Sequence, residues 1–222
     1  MNPSANDRTA IWAITPRGVE LARSMARKIA PSRLLMSERL AVQADDAIGF
    51  KRLKDAVDSQ FNRFSSHIFI MATGIVVRSI TGHLSHKTTD PAVVVCDEAG
   101  QFAISLVSGH VGGANSLARM VARITGGQPV ITTATDVNRV PAIDVIAMQN
   151  QLVIENPAAI KTVNMALLTG SPIAVHDPYG QVIRHLPEKQ TAACGVDALG
   201  QYHGAVFVDH IRLDLPPPVL VL

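Results

Sequence analysis

The sequence predicts an α/β fold: a doubly wound, mostly parallel sheet with one β-hairpin, followed by a second, smaller α/β domain. Three observations predict it. Short apolar runs alternate with segments whose apolar residues recur at helical spacing. One run, Ala92 to Cys96 (AVVVC), is apolar without a break, which suits a strand buried on both faces of a parallel sheet. A glycine-rich turn, Ser108-Gly109-His110-Val111-Gly112-Gly113-Ala114-Asn115, joins an alternating run to a strongly amphipathic segment. The pattern changes after Asn138, so the chain divides into residues 1–138, which carry the glycine-rich loops, and residues 139–222.

In chain order, Thr9 to Ile14 (TAIWAI) reads as the first strand, ended by Thr15-Pro16-Arg17-Gly18. A helix follows, with Val19, Ala22, Met25, Ala26 and Ile29 on one face and Arg17, Glu20, Arg23 and Arg27 on the other. Ser32 to Met36 is the second strand and His67 to Met71 the third, with polar sequence between them in which Leu53 and Val57 are spaced for a helix. Ile75-Val76-Val77-Arg78 opens another helix, and Thr81 to Asp90 is a polar loop. Phe102, Ile104 and Leu106 alternate with smaller or polar residues, and Asp97 to Gln101 is a turn, so this run pairs with Ala92–Cys96 as a hairpin. Ala114, Leu117, Ala118, Val121 and Ile124 form a helical stripe stopped by Gly126-Gly127, and Pro129-Val130-Ile131 is a short strand. In the second part, residues 142–150 and 156–168 read as helices, the latter capped by Asn156 ahead of Pro157. Residues 173–176 and 205–208 read as strands, 187–204 as loop, and Val219 to Leu222, after Pro216-Pro217-Pro218, as a terminal apolar stub that suits either a buried last strand or a chain whose usual continuation is absent.

Composition excludes several function classes. Aromatic residues make up 4% of the chain, too few for a base-stacking nucleic-acid surface. The net charge of +2 favours neither nucleic acid nor membrane as a partner. Cys96 and Cys194 lie far apart with no metal-ligand spacing, which points to a reducing compartment. There is neither a secretory signal pattern nor an apolar run of membrane-spanning length, so a cytoplasmic location is expected. Neither a Walker A pattern, nor G-x-G-x-x-G, nor G-x-S-x-G is present.

Ligands of doubly wound sheets lie outside the carboxyl ends of the strands. Three loops, Ala72-Thr73-Gly74, Ser108 to Asn115, and Thr132 to Asp136, follow strands and are expected to converge there. His110 is the only imidazole in them, available for acid–base work near neutral pH or for bonding its own turn. Asp136 suits a partner carboxylate or an ordinary helix cap. Arg78 suits bidentate carboxylate binding or a surface ion pair. His83, His86 and Asp90 have a spacing that matches no specific metal site, and Cys96 reads as packing.

Four blocks carry a family resemblance. Residues 72–78 (ATGIVVR), 87–95 (KTTDPAVVV), 108–115 (SGHVGGAN) and 129–136 (PVITTATD) resemble, in order and spacing, the CbiG family of cobalamin biosynthesis. Pro141-Ala142-Ile143-Asp144 and Ile154-Glu155-Asn156-Pro157 are similar to its central region. The resemblance implies a hydrolase of the anaerobic, early-cobalt route to vitamin B12. It would open the δ-lactone of cobalt-precorrin-5A and release a two-carbon fragment as acetaldehyde. The cobalt would belong to the substrate, so no cofactor and no protein-bound metal is expected.

Lactone opening needs an activated water, a stabilised oxyanion, and groups for the carboxylates of the tetrapyrrole rim. We expect His110 as base, with Asp136 as its partner or as a second acid/base. The N–H groups of Gly112 and Gly113 are oxyanion candidates. Substrate contacts are expected from Thr73, Gly74, Arg78, Lys87, Asp90, Ser108, Gly109, Asn115, Thr132, Thr133 and Thr135. Family members commonly continue into a CobE-like C-terminal domain, which this chain is expected to lack, with a separate CobE-like chain as a partner that could supply it. Apolar surfaces leave room for a homodimer. The alternative readings are a non-catalytic corrinoid-binding module that depends on a CobE-like chain, and a generic α/β anion binder.

Overall fold

The computed structural model describes residues 9–41, 47–86, 89–195, 199, 202, 204–208 and 219–222. It falls into two compact units, Met1–Ile131 and Thr132–Leu222, against the division after residue 138 expected from the pattern.

Unit 1 is built on a seven-stranded sheet in the order β3-β2-β1-β4-β5-β6-β7. Its strands are β1 (Thr9–Ala13), β2 (Ser32–Ser37), β3 (Ala47–Phe50), β4 (Ser66–Ile70), β5 (Ala92–Cys96), β6 (Phe102–Val107) and β7 (Gln128–Val130). Its helices are α1 (Pro16–Ala26), α2 (Leu53–Gln60), α3 (Thr73–Ile80) and α4 (Ala114–Thr125). All neighbouring strands run parallel except β5 and β6, the expected hairpin.

The period of two along each strand supplies a core on both faces. Ile11, Ile68, Ile70 and Val94 meet Val19, Met25, Leu117 and Val121 of α1 and α4. Trp12, Phe69, Val93 and Val95 meet Val57, Val76 and Ile80 of α2 and α3. Local signals fix the helix ends. Thr15 Oγ accepts the Gly18 N–H at 3.1 Å with Pro16 in the first turn, and Gly126 ends α4 at φ 76°.

Unit 2 carries the four-stranded parallel sheet β11-β10-β8-β9: β8 (Ile173–His176), β9 (Thr191–Ala193), β10 (Ala205–Phe207) and β11 (Val219–Val221). Three helices, α5 (Ala134–Val137), α6 (Ile143–Gln149) and α7 (Ile160–Thr169), belong to it. Ile143, Ile146, Val163 and Leu167 pack with Ile173, Val175 and Val206. The Asn164 side chain ties α7 to α6, accepting the Ile143 N–H at 2.8 Å and donating to Asp144 at 3.0 Å.

Three local expectations change. Both β3 and β9 are edge strands that the pattern does not mark, because a short edge strand needs no alternating buried face: Ile48 is 37% exposed, and Thr191–Ala193 is small and polar. Asn156 is no side-chain cap; its Oδ1 accepts the Val221 N–H at 2.9 Å and so fastens β11, while α7 begins at Ile160. The expected loop over 187–204 therefore contains a strand, and the 216–218 proline run lies outside the described residues.

Candidate functional site

Strand direction decides which loops of unit 1 share an edge. β1, β4 and β5 run the same way, so Ile14-Thr15, Ala72-Thr73-Gly74 and Asp97-Glu98 all lie at one edge, their carboxyl ends. β6 is antiparallel to β5, so it ends at the opposite edge. Ser108–Asn115 follows β6 there. A five-residue strand puts the two edges roughly 15 Å apart. The expected convergence of Ala72-Thr73-Gly74 with Ser108–Asn115 therefore fails. The hairpin that the sequence itself predicts reverses the chain once before the glycine-rich turn.

The carboxyl edge holds a cleft of about 520 Å³ at the point where the strand order reverses, between β1 and β4. Its floor is apolar, made by Ile14, Ile70, Ile75, Phe102 and Ile104 among others, and Phe102 is 46% exposed. One wall is acidic. Thr15 Oγ donates to Glu98 Oε2 at 2.7 Å, and Asp97 accepts the N–H groups of Ala99 at 2.9 Å and Phe102 at 2.7 Å. Burial pushes the Asp97 carboxyl up, but these and neighbouring amides outweigh it and hold it below the usual carboxylate range.

Beside that wall, after the neighbouring strand β4, α3 begins without a side-chain cap. The N–H groups of Thr73 and Gly74 reach no backbone carbonyl among the described residues. The Arg78 guanidinium folds back over this end: a Cβ on Gly74 would stand 3.4 Å from its Nη2. Among the described residues Arg78 has no hydrogen-bond or ion-pair partner. Thr15, Glu98 and Phe102 are cleft residues missed in the sequence. The signal for Thr15 and Glu98 was their position just after β1 and β5, the same rule that singled out Thr73.

At the other edge the glycine-rich turn is closed on itself. The N–H groups of Gly113, Ala114 and Asn115 bond to the carbonyls of His110 (2.8 Å), Ser108 (3.0 Å) and Gly109 (2.9 Å). Gly113, at φ 87°, is thereby removed as an oxyanion donor, leaving Gly112. Gly112 must be glycine: a Cβ there would come within 2.3 Å of Ser108 Cβ and 3.3 Å of the Asp90 carbonyl oxygen. Ser108 takes φ 57°, and its hydroxyl is buried with no hydrogen-bond partner among the described residues. His110 is half-buried in this turn.

Asn115 is corrected from a ligand contact to a structural one. It is 5% exposed and its Oδ1 accepts the Ser105 hydroxyl at 2.7 Å, latching α4 to β6. Asp90 is likewise spent on its own loop, accepting the N–H groups of Ser85 (2.9 Å) and His86 (3.1 Å). Those bonds outweigh desolvation and keep its carboxyl below the ordinary range. Lys87 lies outside the described residues.

His83 Nε2 meets Asp58 Oδ1 at 2.7 Å, which separates it from Asp90. No group of three or more His, Cys, Asp or Glu side chains fit to hold a metal occurs among the described residues. Burial pushes the Cys96 thiol up to about 12, in keeping with a packing role.

Of the unit 2 residues, Thr132 is exposed and Thr135 buried. Thr133 Oγ donates to Asp136 Oδ2 at 2.7 Å across the first turn of α5, which orients that half-buried carboxylate.

Fold and site together define a two-unit protein of the doubly wound α/β class, whose first unit carries a cleft at the switch point of its sheet. Residues 55–136 match the family described as Cobalamin synthesis G N-terminal, and residues 141–222 match its Cobalamin biosynthesis central region. The chain belongs to this cobalamin biosynthesis G (CbiG) family.

It is 42% identical over 171 residues to the cobalt-precorrin-5A hydrolase of Salmonella typhimurium, covering 76% of this chain and 48% of that protein. It is 35% identical over 176 residues to the cobalt-precorrin-5A hydrolase of Priestia megaterium, covering 78% and 47%. The chain spans about half the length of these curated relatives. A solved structure of a cobalamin biosynthesis protein G homolog from Sulfolobus solfataricus shares the fold, with a TM-score of 0.52 and 21% identity over 96% of this chain and 59% of that one.

Proposed function

We propose that this chain opens the lactone of cobalt-precorrin-5A, the activity for which its relatives are named. The observation that carries the reading is the match, at 42% and 35% identity, over about three quarters of the chain. In the proposed reaction His110 takes a proton from a water molecule, and the resulting hydroxide adds to the lactone carbonyl. The carbonyl oxygen becomes an oxyanion and accepts the Gly112 N–H. The ring C–O bond then breaks, giving the free carboxylate and an oxygen that takes up a proton; release of acetaldehyde follows.

Asp136, oriented by Thr133, is assigned the second acid/base role. Ser108, Gly109, Thr132 and Thr133 are assigned to carboxylates of the substrate. Thr73, Gly74 and Arg78, in the loop and helix that follow β4, are given no part in the step at His110. The cobalt arrives with the substrate, so the proposal involves no resident cofactor, and the reaction belongs in the cytoplasm. A homodimer and a separate CobE-like chain are compatible with this scheme and are not required by it.

Anaerobic incubation with cobalt-precorrin-5A, read by acetaldehyde release, tests the reading. The native sequence should release acetaldehyde, and His110→Ala should lower the rate by about 100-fold or more. Equal release from both would keep the hydrolase and remove His110 from the chemistry. No release from the native sequence, with the corrinoid still retained, would overturn the hydrolase assignment in favour of a binding module.

A further inference from the structure

The proposed chemistry leaves one histidine–carboxylate pair unused. His83 Nε2 meets Asp58 Oδ1 at 2.7 Å, which joins the turn after α3 to α2. The His83 ring packs on Phe61, with centroids 5.5 Å apart, and its side chain is 18% exposed. Lys54 Nζ lies 3.6 Å from the same Asp58 oxygen. The His83 bond, more than the charge of Lys54, holds the Asp58 carboxyl below its ordinary value, against partial desolvation. We infer that His83 is a positioning residue for the glycine-rich turn: anchored by Asp58, it fixes the loop against which Gly112 packs. The inference rests on the reading that this turn carries the chemistry.

A short chain of contacts links the pair to the turn. His83 stands two residues before Ser85, whose N–H and hydroxyl both reach Asp90 Oδ1, at 2.9 and 3.1 Å. The His86 N–H reaches the same oxygen at 3.1 Å, and the Asp90 N–H returns to the His86 carbonyl at 2.8 Å. These bonds run directly from residues 85 and 86 to residue 90. A displacement at His83 is therefore passed on to Asp90 instead of being absorbed by the loop between. The Asp90 carbonyl oxygen abuts Gly112, 3.3 Å from where a Cβ would stand. Gly112 lies between His110 and Gly113, whose N–H closes the turn on the His110 carbonyl at 2.8 Å. A ring seated on Phe61 suits the anchor, because it has little freedom to lose when its Nε2 is held.

The full chain tests this with His83→Ala, Asp58→Ala, the double variant, and His83→Gln, which keeps an N–H donor near the place of Nε2. The amide resonances of His110 and Gly112 report the turn, and acetaldehyde release reports the reaction. His83→Ala should shift both amides and lower kcat about ten-fold, with KM changed less than two-fold. Asp58→Ala should do the same, and the double variant should do no more than either. His83→Gln should restore most of both readouts. Native amide positions in His83→Ala would overturn the proposal, as would shifted amides with an unchanged kcat. Additive losses in the double variant would overturn it too. If the native sequence releases no acetaldehyde, the hydrolase reading fails, while the amide shifts still decide the link between His83 and the turn.

Discussion

His67 lies at the centre of unit 1, fully buried among the rings of Trp12, Phe61, Phe64 and Phe69. Trp12 Nε1 donates to its Nδ1 at 3.1 Å, and its Nε2 lies 2.9 Å from the Phe61 carbonyl. These partners assign the neutral ring with the proton on Nε2. Burial lowers its pKa from 6.5 to about 4, against the Phe61 bond, which raises it. Between those values the unfolded chain binds a proton that the folded one does not, so stability is full above pH 6.5 and falls as the pH drops towards 4. The loss reaches on the order of 3 kcal/mol. Urea midpoints across pH 4–7 should show this fall, and His67→Gln should flatten it. A native profile already flat over that window would mean that His67 titrates normally.

The turn from β6 into α4 is shaped by close approach rather than by propensity. Gly112→Ala would drive a methyl into Ser108 and should cost about 1–3 kcal/mol. Gly113→Ala meets open space and carries only the left-handed backbone penalty, about 1 kcal/mol. Urea midpoints of the two variants test the order. If Gly113→Ala proves the more damaging, the packing of Gly112 against Ser108 and Asp90 is wrong. The same turn shows what element direction does to function. His110 and Arg78 look like neighbours in a list of suggestive residues, yet they follow strands running opposite ways.

At the scale of the whole molecule, each unit has its own sheet and its own buried clusters, Ile11 to Ala122 and Ala10 to Val95 in unit 1, and Ile143 to Leu222 in unit 2. A fragment of residues 1–131 should therefore fold alone and unfold in one cooperative urea transition. Circular dichroism with Trp12 fluorescence would check it. Non-coincident or gradual transitions would show that unit 1 depends on residues beyond Ile131.

Much was legible in the chain itself, for local reasons. The AVVVC run, the Phe102–Leu106 alternation and the Ala114–Ile124 stripe each carry a periodicity that only one kind of element satisfies. The four blocks carried the family in the same way. The edge strands β3 and β9 were not legible, because pairing on one side imposes little pattern. Nor were the jobs of Asn115, Asn156 and Asp90, polar residues whose partners lie in other segments or in their own loop's backbone. The sequence by itself determined the elements and their order. Only the tertiary structure decided which loop ends share an edge, and hence that Thr73 follows β4 at one edge of the sheet while His110 follows β6 at the other. Direction is a property of pairing between strands distant in the chain, and no window along the chain contains it.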